Sequence, residues 1–206
     1  KNKPPMKVGA PLTDITAGLL AASGILAALI HRDKTGEGQK VDTSLYEAGI
    51  VHTYWQSAIA GATGISPGPL GSAHPLTAPY QAFKTKDKWI TVGASNQNTW
   101  LMLLKAINRE DLNDNEKFSS NASRKKNLNE LVEILNEELI KKPSEEWLKI
   151  FDENGLPCGP INSITDMFKD PQTIERKMII EVNNTKAGTS KAVGMPIKFS
   201  KSKTEK

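Results

Sequence analysis

Residues 15–30 carry no charge at all, and the small side chains Ala17, Gly18, Ala21, Ala22, Gly24, Ala27 and Ala28 recur through them. Such a stretch predicts a helix over residues 13–32 with little bulk on more than one face, so other backbone must pack closely against it. The uncharged run is shorter than the ~20 residues that a bilayer-spanning helix requires and is interrupted by Gly18, Ser23 and Gly24, so it is read as part of a folded core and not as a membrane segment.

At the mouth of this helix stands Asp14, with Gly9, Ala10, Pro11, Leu12 and Thr13 before it and no further charge until His31 and Arg32. Two roles suit a carboxylate there. As an N-cap it would accept backbone N–H groups and meet the positive end of the helix dipole. As a nucleophile, flanked by Gly9, Pro11 and Gly18, it would be open to a ligand and able to attack a thioester. The pattern leaves both open.

Composition narrows the field. A chain of 206 residues with 38% apolar and 24% charged residues has the make-up of an ordinary globular protein of one or two domains. Cys158 is the sole cysteine, which excludes an intramolecular disulfide and a cysteine metal site and fits a reducing compartment such as the cytoplasm. The net charge of +4 is mild, and part of it sits in a lysine-rich tail (Lys198, Lys201, Lys203, Lys206) that reads as a solvated end; such a surface suits an anionic ligand without selecting one. The first residue is Lys1 and no signal-peptide zones follow it, which suggests a truncated or excised chain.

After Lys3, Pro4 and Pro5, the long helix is expected to end in a tight turn at Gly36 and Gly38. Residues 40–44 alternate like a short strand, and 45–60 return to helical spacing. From 61 to 79 glycine, proline, serine and alanine dominate, marking a linker or functional loop. Residues 80–83 and 89–92 read as a hairpin turning at 84–88, followed by helices at 99–107 and 124–141 and one capped by Ser144. A helical turn at 164–168 precedes strands at 179–182 and 192–199. The division expected is 1–64, the back half of a larger domain; 65–79, a Gly/Pro linker; 80–175, a small α/β domain; and 176–206, a segment returning toward the larger one.

Other motifs carry less. His31, His52 and His74 lack metal-ligand spacing and read singly as surface or core histidines, with His74 set apart by its place in the Gly/Pro loop. Cys158 reads as a packed turn residue. Gly36-Glu37-Gly38-Gln39 lacks the Lys-Ser/Thr ending of a phosphate loop, and Trp55, Trp89, Trp100 and Trp147 are too scattered for a nucleic-acid stacking platform.

Several segments, in order, resemble one family: residues 9–18 around Asp14, then 24–29, Thr35-Gly36-Glu37-Gly38-Gln39-Lys40-Val41-Asp42, His74-Pro75, Pro79-Tyr80 with Phe83, residues 155–160, Asp170-Pro171 and Gly194-Met195-Pro196. The chain is similar over nearly its whole length to the class III CoA-transferases, which include formyl-CoA:oxalate and carnitine CoA-transferases. The resemblance implies an α/β fold: an open Rossmann-like large domain, here partial, with a smaller mixed α/β domain, in subunits that interlock as a homodimer. It places the family's aspartate nucleophile on Asp14 and a loop closing over the acyl group on Gly71, Ser72, Ala73 and His74. It implies coenzyme A and acyl-CoA as substrates, a small carboxylic acid as acceptor, no permanently bound cofactor or metal, and neither nucleic acid nor membrane as partner. Relatives carry more than a hundred residues before this aspartate, so the chain is expected to be a fragment that is inactive alone.

Two rival readings belong beside it. An α-methylacyl-CoA racemase would need an acid soon after Val92-Gly93-Ala94, where Ser95-Asn96-Gln97-Asn98 stands. A noncatalytic dimerisation module would make Asp14 dispensable. A mitochondrial or peroxisomal location is the alternative to the cytoplasm for a eukaryotic source.

Overall fold

The charge-free stretch folds as a helix, α1 (Leu12–Thr35), in a computed structural model that describes residues 6–186 and 188–202. Lys3, Pro4 and Pro5 and the tail lysines Lys203 and Lys206 lie outside the described residues. Pro11 is the residue before the first turn and no side chain caps the helix, so Asp14 does not take the N-cap role open to it; it is the third helical residue. Proline, with no N–H and φ of −77°, fits that boundary and starts the helix earlier than the charge pattern suggested. At the other end Gly36 takes φ +81° and its N–H bonds the Arg32 carbonyl at 2.7 Å, the left-handed cap that a glycine there predicts.

Two compact units divide the chain, Lys1–Gly71 and Ser72–Lys206. In the first, α1 packs on α2 (Leu45–Val51), and α3 (Tyr54–Thr63) follows. The single helix expected over 45–60 is broken at His52–Thr53, because the Thr53 hydroxyl and backbone N–H both turn onto the Ile50 carbonyl, at 2.7 and 3.0 Å. Residues 40–44 are not a strand: a ladder needs a neighbour, and none occurs among the described residues of this unit. Gly24 shows why small residues crowd α1, since a Cβ there would stand 2.7 Å from Val41 Cγ1. Ala48 is the only buried apolar residue among those described in this unit, and no residue of α1 is buried.

With its 24 residues and a mean hydropathy of 1.7 over its most apolar 18, α1 is long and apolar enough to cross a membrane by length and composition, contrary to the shorter run counted from charge alone. Among its contacts within the unit, Thr16 Oγ1 lies 2.7 Å from His52 Nε2, and Val41 packs against Gly24.

The second unit holds a core of its own. Strands β1 (Tyr80–Lys84), β2 (Trp89–Gly93) and β3 (Cys158–Pro160) form an antiparallel sheet in the order β1-β2-β3, with Phe83 opposite Ile90 and Val92 opposite Cys158. Along β2 burial alternates, Ile90 and Val92 inward and Trp89 and Thr91 outward, the period-2 pattern of a half-buried strand. The inward residues meet Trp100 and Leu104 of α4 (Gln97–Ile107), Leu131 and Leu135 of α6 (Leu128–Leu139), and Phe151 of α7 (Ser144–Glu153) in one cluster. The helix expected over 124–141 is two, α5 (Asn121–Lys126) and α6, because Asn127 Nδ2 donates to the Ser123 and Lys117 carbonyls and pulls its own backbone to φ −106°, ψ 28°.

Beyond β3 come α8 (Ile164–Met167), α9 (Pro171–Glu175) and a second antiparallel pair, β4 (Ile179–Asn184) and β5 (Gly188–Val193). β5 begins and ends earlier than the strand expected at 192–199, and Gly194 and Pro196 stop it. A Cβ on Gly194 would lie 2.3 Å from the Lys177 carbonyl oxygen, so only glycine fits.

The start of α7 also differs from expectation. Ser144 is its first helical residue, and the capping group is Asp87 in the β1–β2 turn, which accepts the Ser144 backbone N–H at 2.7 Å and the Ser144 hydroxyl at 3.1 Å. The Ser144 N–H, helped by the Thr85 and Ser144 hydroxyls, holds the Asp87 carboxyl down at about 2 against an ordinary 3.8. A depressed folded-state pKa stabilises the fold fully above pH 3.8 and loses that contribution as pH falls toward 2. Asp87→Asn is therefore expected to lower the thermal midpoint at neutral pH and to match the unmodified chain near pH 2, as thermal melts across that range would show.

Candidate active site

The first turn of α1 presents Asp14 to solvent. Its Oδ2 accepts the Thr13 hydroxyl at 3.1 Å, and no hydrogen bond among the described residues takes up the backbone N–H of Thr13 or of Asp14 itself. Leu12 N–H is committed to Ala10 at 2.9 Å and Ile15 N–H to Pro11 at 3.1 Å. Unpartnered amides at the positive end of a helix favour negative charge, whether carboxylate or oxyanion. An open cleft of about 360 Å³ lies over this turn, lined by Val8, Ala10, Leu12, Asp14, Gly49 and His52 among others. Its wall is largely apolar, with Asp14 as its acid and Lys7 as its cation.

His52 was not singled out from the sequence. It ends α2, and the packing of α2 on α1 brings its ring onto Thr16, two residues beyond Asp14, and into the same cleft. No spacing rule finds it, because Thr16 and His52 stand 36 positions apart and are joined only by a tertiary contact. Gly49 reaches the same wall, where a Cβ would stand 3.5 Å from Thr13 Cγ2.

The second candidate segment is Gly71–Ser72–Ala73–His74. Gly71 has φ +62° in a turn with Ser72, a backbone state that favours glycine. Ser72 Oγ accepts the Ala82 N–H at 3.1 Å, docking the turn on β1, while Ala73 is half-buried. His74 is half-buried, its ring stacked on Tyr80 with centroids 5.2 Å apart, and its Nδ1 accepts the backbone N–H of Leu76 and Thr77 at 3.1 and 3.2 Å.

Cys158 lies in β3 and not in a turn. Its sulfur contacts the Leu148 carbonyl at 3.9 Å, and burial, then the charge of Asp152, pushes the thiol up from its ordinary value. That is the reverse of what a nucleophilic thiolate needs. The described residues contain no cluster of His, Cys, Asp and Glu able to hold a metal ion.

Residues 1–206 match the family described as CoA-transferase family III. An acyl-CoA transferase of Fusarium pseudograminearum is 37% identical over 211 residues, covering 99% of this chain and 45% of the relative. A succinyl-CoA:glutarate CoA-transferase of Homo sapiens is 33% identical over 203 residues, covering 98% and 46%. Among solved structures, a CaiB/BaiF family protein from Brucella suis is 31% identical with a TM-score of 0.78, over 97% of this chain and 52% of that one. The chain spans about half the length of the curated relatives it matches.

Cys158 in the native chain is expected to react with iodoacetamide about tenfold or more slowly than in urea, followed by mass spectrometry; equal rates would show the thiol to be open and activated.

Proposed function

The chain belongs to CoA-transferase family III, and on that premise we propose that it carries the nucleophile of a reaction that moves coenzyme A from an acyl-CoA donor to a carboxylic acid acceptor. The observation that carries this reading is Asp14 itself: an exposed carboxylate in the first turn of a helix, over an open cleft, with unpartnered amides beside it.

The chemistry proceeds by exchange at carbonyl carbons. The Asp14 carboxylate attacks the thioester carbonyl of the donor, and the carbon–sulfur bond breaks to give a mixed anhydride and CoA thiolate. The thiolate attacks the Asp14 carbonyl of that anhydride, releasing the donor acid and leaving an aspartyl-CoA thioester. The acceptor carboxylate then attacks this thioester, expelling CoA thiolate and forming a second anhydride. Attack of the thiolate on the acceptor carbonyl gives the new acyl-CoA and restores the Asp14 carboxylate. Each step passes through an oxyanion, and the Thr13 and Asp14 N–H groups are suited to accept part of that charge.

Gly71, Ser72, Ala73 and His74 are proposed to contact the acyl group. The completed large domain is proposed to be Rossmann-like and the whole enzyme an interlocked homodimer in the cytoplasm, with α1 packed inside protein and the 206-residue chain inactive alone. Against a racemase, no acid stands among Ser95-Asn96-Gln97-Asn98 after Val92-Gly93-Ala94, and Asn96 there serves as N-cap of α4, its side chain accepting the Thr99 N–H at 3.0 Å.

The test completes the chain with the segment that its relatives carry beyond it, adds an acyl-CoA, and traps with hydroxylamine or borohydride. An adduct on Asp14 is expected, and Asp14→Asn should lower turnover on the order of a thousandfold. No adduct with acyl-CoA binding intact would overturn the transferase reading; deuterium entering the acyl α-carbon would indicate a racemase, and an unaffected Asp14→Asn protein that still assembles would indicate a dimerisation module.

A further inference from the structure

Residues 65–79 contain no helix or strand, yet in the second half of this loop four backbone groups, the His74 and Leu76 carbonyls and the Ala78 N–H and carbonyl, are held by side chains of one short helix. From α5, Lys125 Nζ donates to the His74 carbonyl at 3.0 Å, and Asn121 Nδ2 to the Leu76 carbonyl at 3.0 Å. Asn121 Oδ1 accepts the Ala78 N–H at 3.0 Å, and Arg124 Nε donates to the Ala78 carbonyl at 2.7 Å. His74 N–H bonds the Tyr80 carbonyl at 2.8 Å and the Pro79 carbonyl accepts Ala94 N–H at 2.9 Å, so the segment from His74 to Tyr80 runs into β1 without slack.

Arg124 is the unusual member. Its side chain is fully buried, its guanidinium lies 4.8 Å from the centre of the Trp100 ring, and its Nη1 donates to the Phe118 carbonyl at 2.8 Å and to Gln97 Oε1 at 3.2 Å. No carboxylate pairs with it among the described residues, so the cation is buried against neutral oxygen acceptors and the Trp100 ring. Burying an unpaired charge opposes folding, whereas the planar fork of arginine fixes several acceptors at once, which a lysine ammonium does not reproduce. What the arrangement secures is geometry.

That geometry reaches His74. Its Nδ1 accepts two backbone N–H groups, so in this loop conformation the neutral ring carries its proton on Nε2. We propose that Asn121, Arg124 and Lys125 form a positioning clamp that holds the His74–Ala78 loop in one conformation and His74 in its Nε2–H form, as a hydrogen-bond donor to an oxygen of the acyl or acceptor group. The role toward substrate rests on the transferase reading above; the clamp and the tautomer do not. None of the three clamp residues touches the reacting atoms in this role.

Two measurements separate these parts. On the 206-residue chain without substrate, 15N NMR of the His74 ring should show the Nε2–H tautomer, and the Leu76, Thr77 and Ala78 amides should be protected from hydrogen exchange. Asn121→Ala and, independently, Lys125→Met should speed exchange of Leu76, Thr77 and Ala78 about tenfold and mix the His74 tautomers, with β2 exchange unchanged and Lys125→Arg restoring the original behaviour. Unaltered loop exchange and tautomer in both variants would overturn the clamp. In the completed enzyme both variants should raise the KM for the acceptor acid about tenfold while hydroxylamine trapping at Asp14 persists. An unchanged KM alongside a loosened loop would overturn the substrate role of His74, and failure to trap Asp14 in the unmodified enzyme would count against the transferase reading alone.

Discussion

The stacking of Arg124 on Trp100 is the hinge between the two halves of the second unit's architecture. On one side Trp100 belongs to the apolar cluster that the sheet shares with α4, α6 and α7. On the other, the guanidinium reaches carbonyls at Phe118 and Ala78 and so couples that core to a loop with no regular structure. The Trp100 indole N–H is buried without a partner among the described residues, a cost of about 1–3 kcal/mol. A core that accepts both an orphaned donor and a cation with no carboxylate partner among the described residues is organised around holding a loop still, as well as around excluding water.

The first unit obeys a different constraint. Its helices keep apolar side chains in the open, with Leu19 63% and Leu26 62% exposed on α1 and Tyr54 69% exposed on α3. Ala48 alone cannot supply the hydrophobic free energy that offsets the conformational entropy of ordering three helices. The first unit therefore leaves much of the apolar surface of α1 and α3 uncovered among the described residues.

Much of this was legible in the sequence where the signal was local. The hairpin from Tyr80 to Gly93 follows from alternation on either side of a polar turn, the end of α1 from Gly36, and the buried row Leu131, Leu135 and Leu139 from helical spacing. Errors arose where a side chain competes with the helix it sits in, as Thr53 and Asn127 do, or where the partner is remote, as with the missing neighbour of residues 40–44. Around the candidate cleft, Asp14 stands out in the sequence because it is isolated in charge, whereas His52 and the α5 residues are brought to bear only by tertiary packing. The capping of α7 falls to Asp87 in place of Ser144, and α1 has no side-chain cap at all.

The Asp87–Ser144 contact joins residues 57 apart in the chain. The α7 N-terminus consequently lacks a side-chain cap of its own until the hairpin turn arrives, and closing that loop carries an entropic cost beside which Glu145 and Glu146 in the first turn are the local support. The turn and the helix are thereby bound into a single cooperative folding event: α7 gains its full stability only after the hairpin has docked, and opening the hairpin releases the first turn of α7 with it.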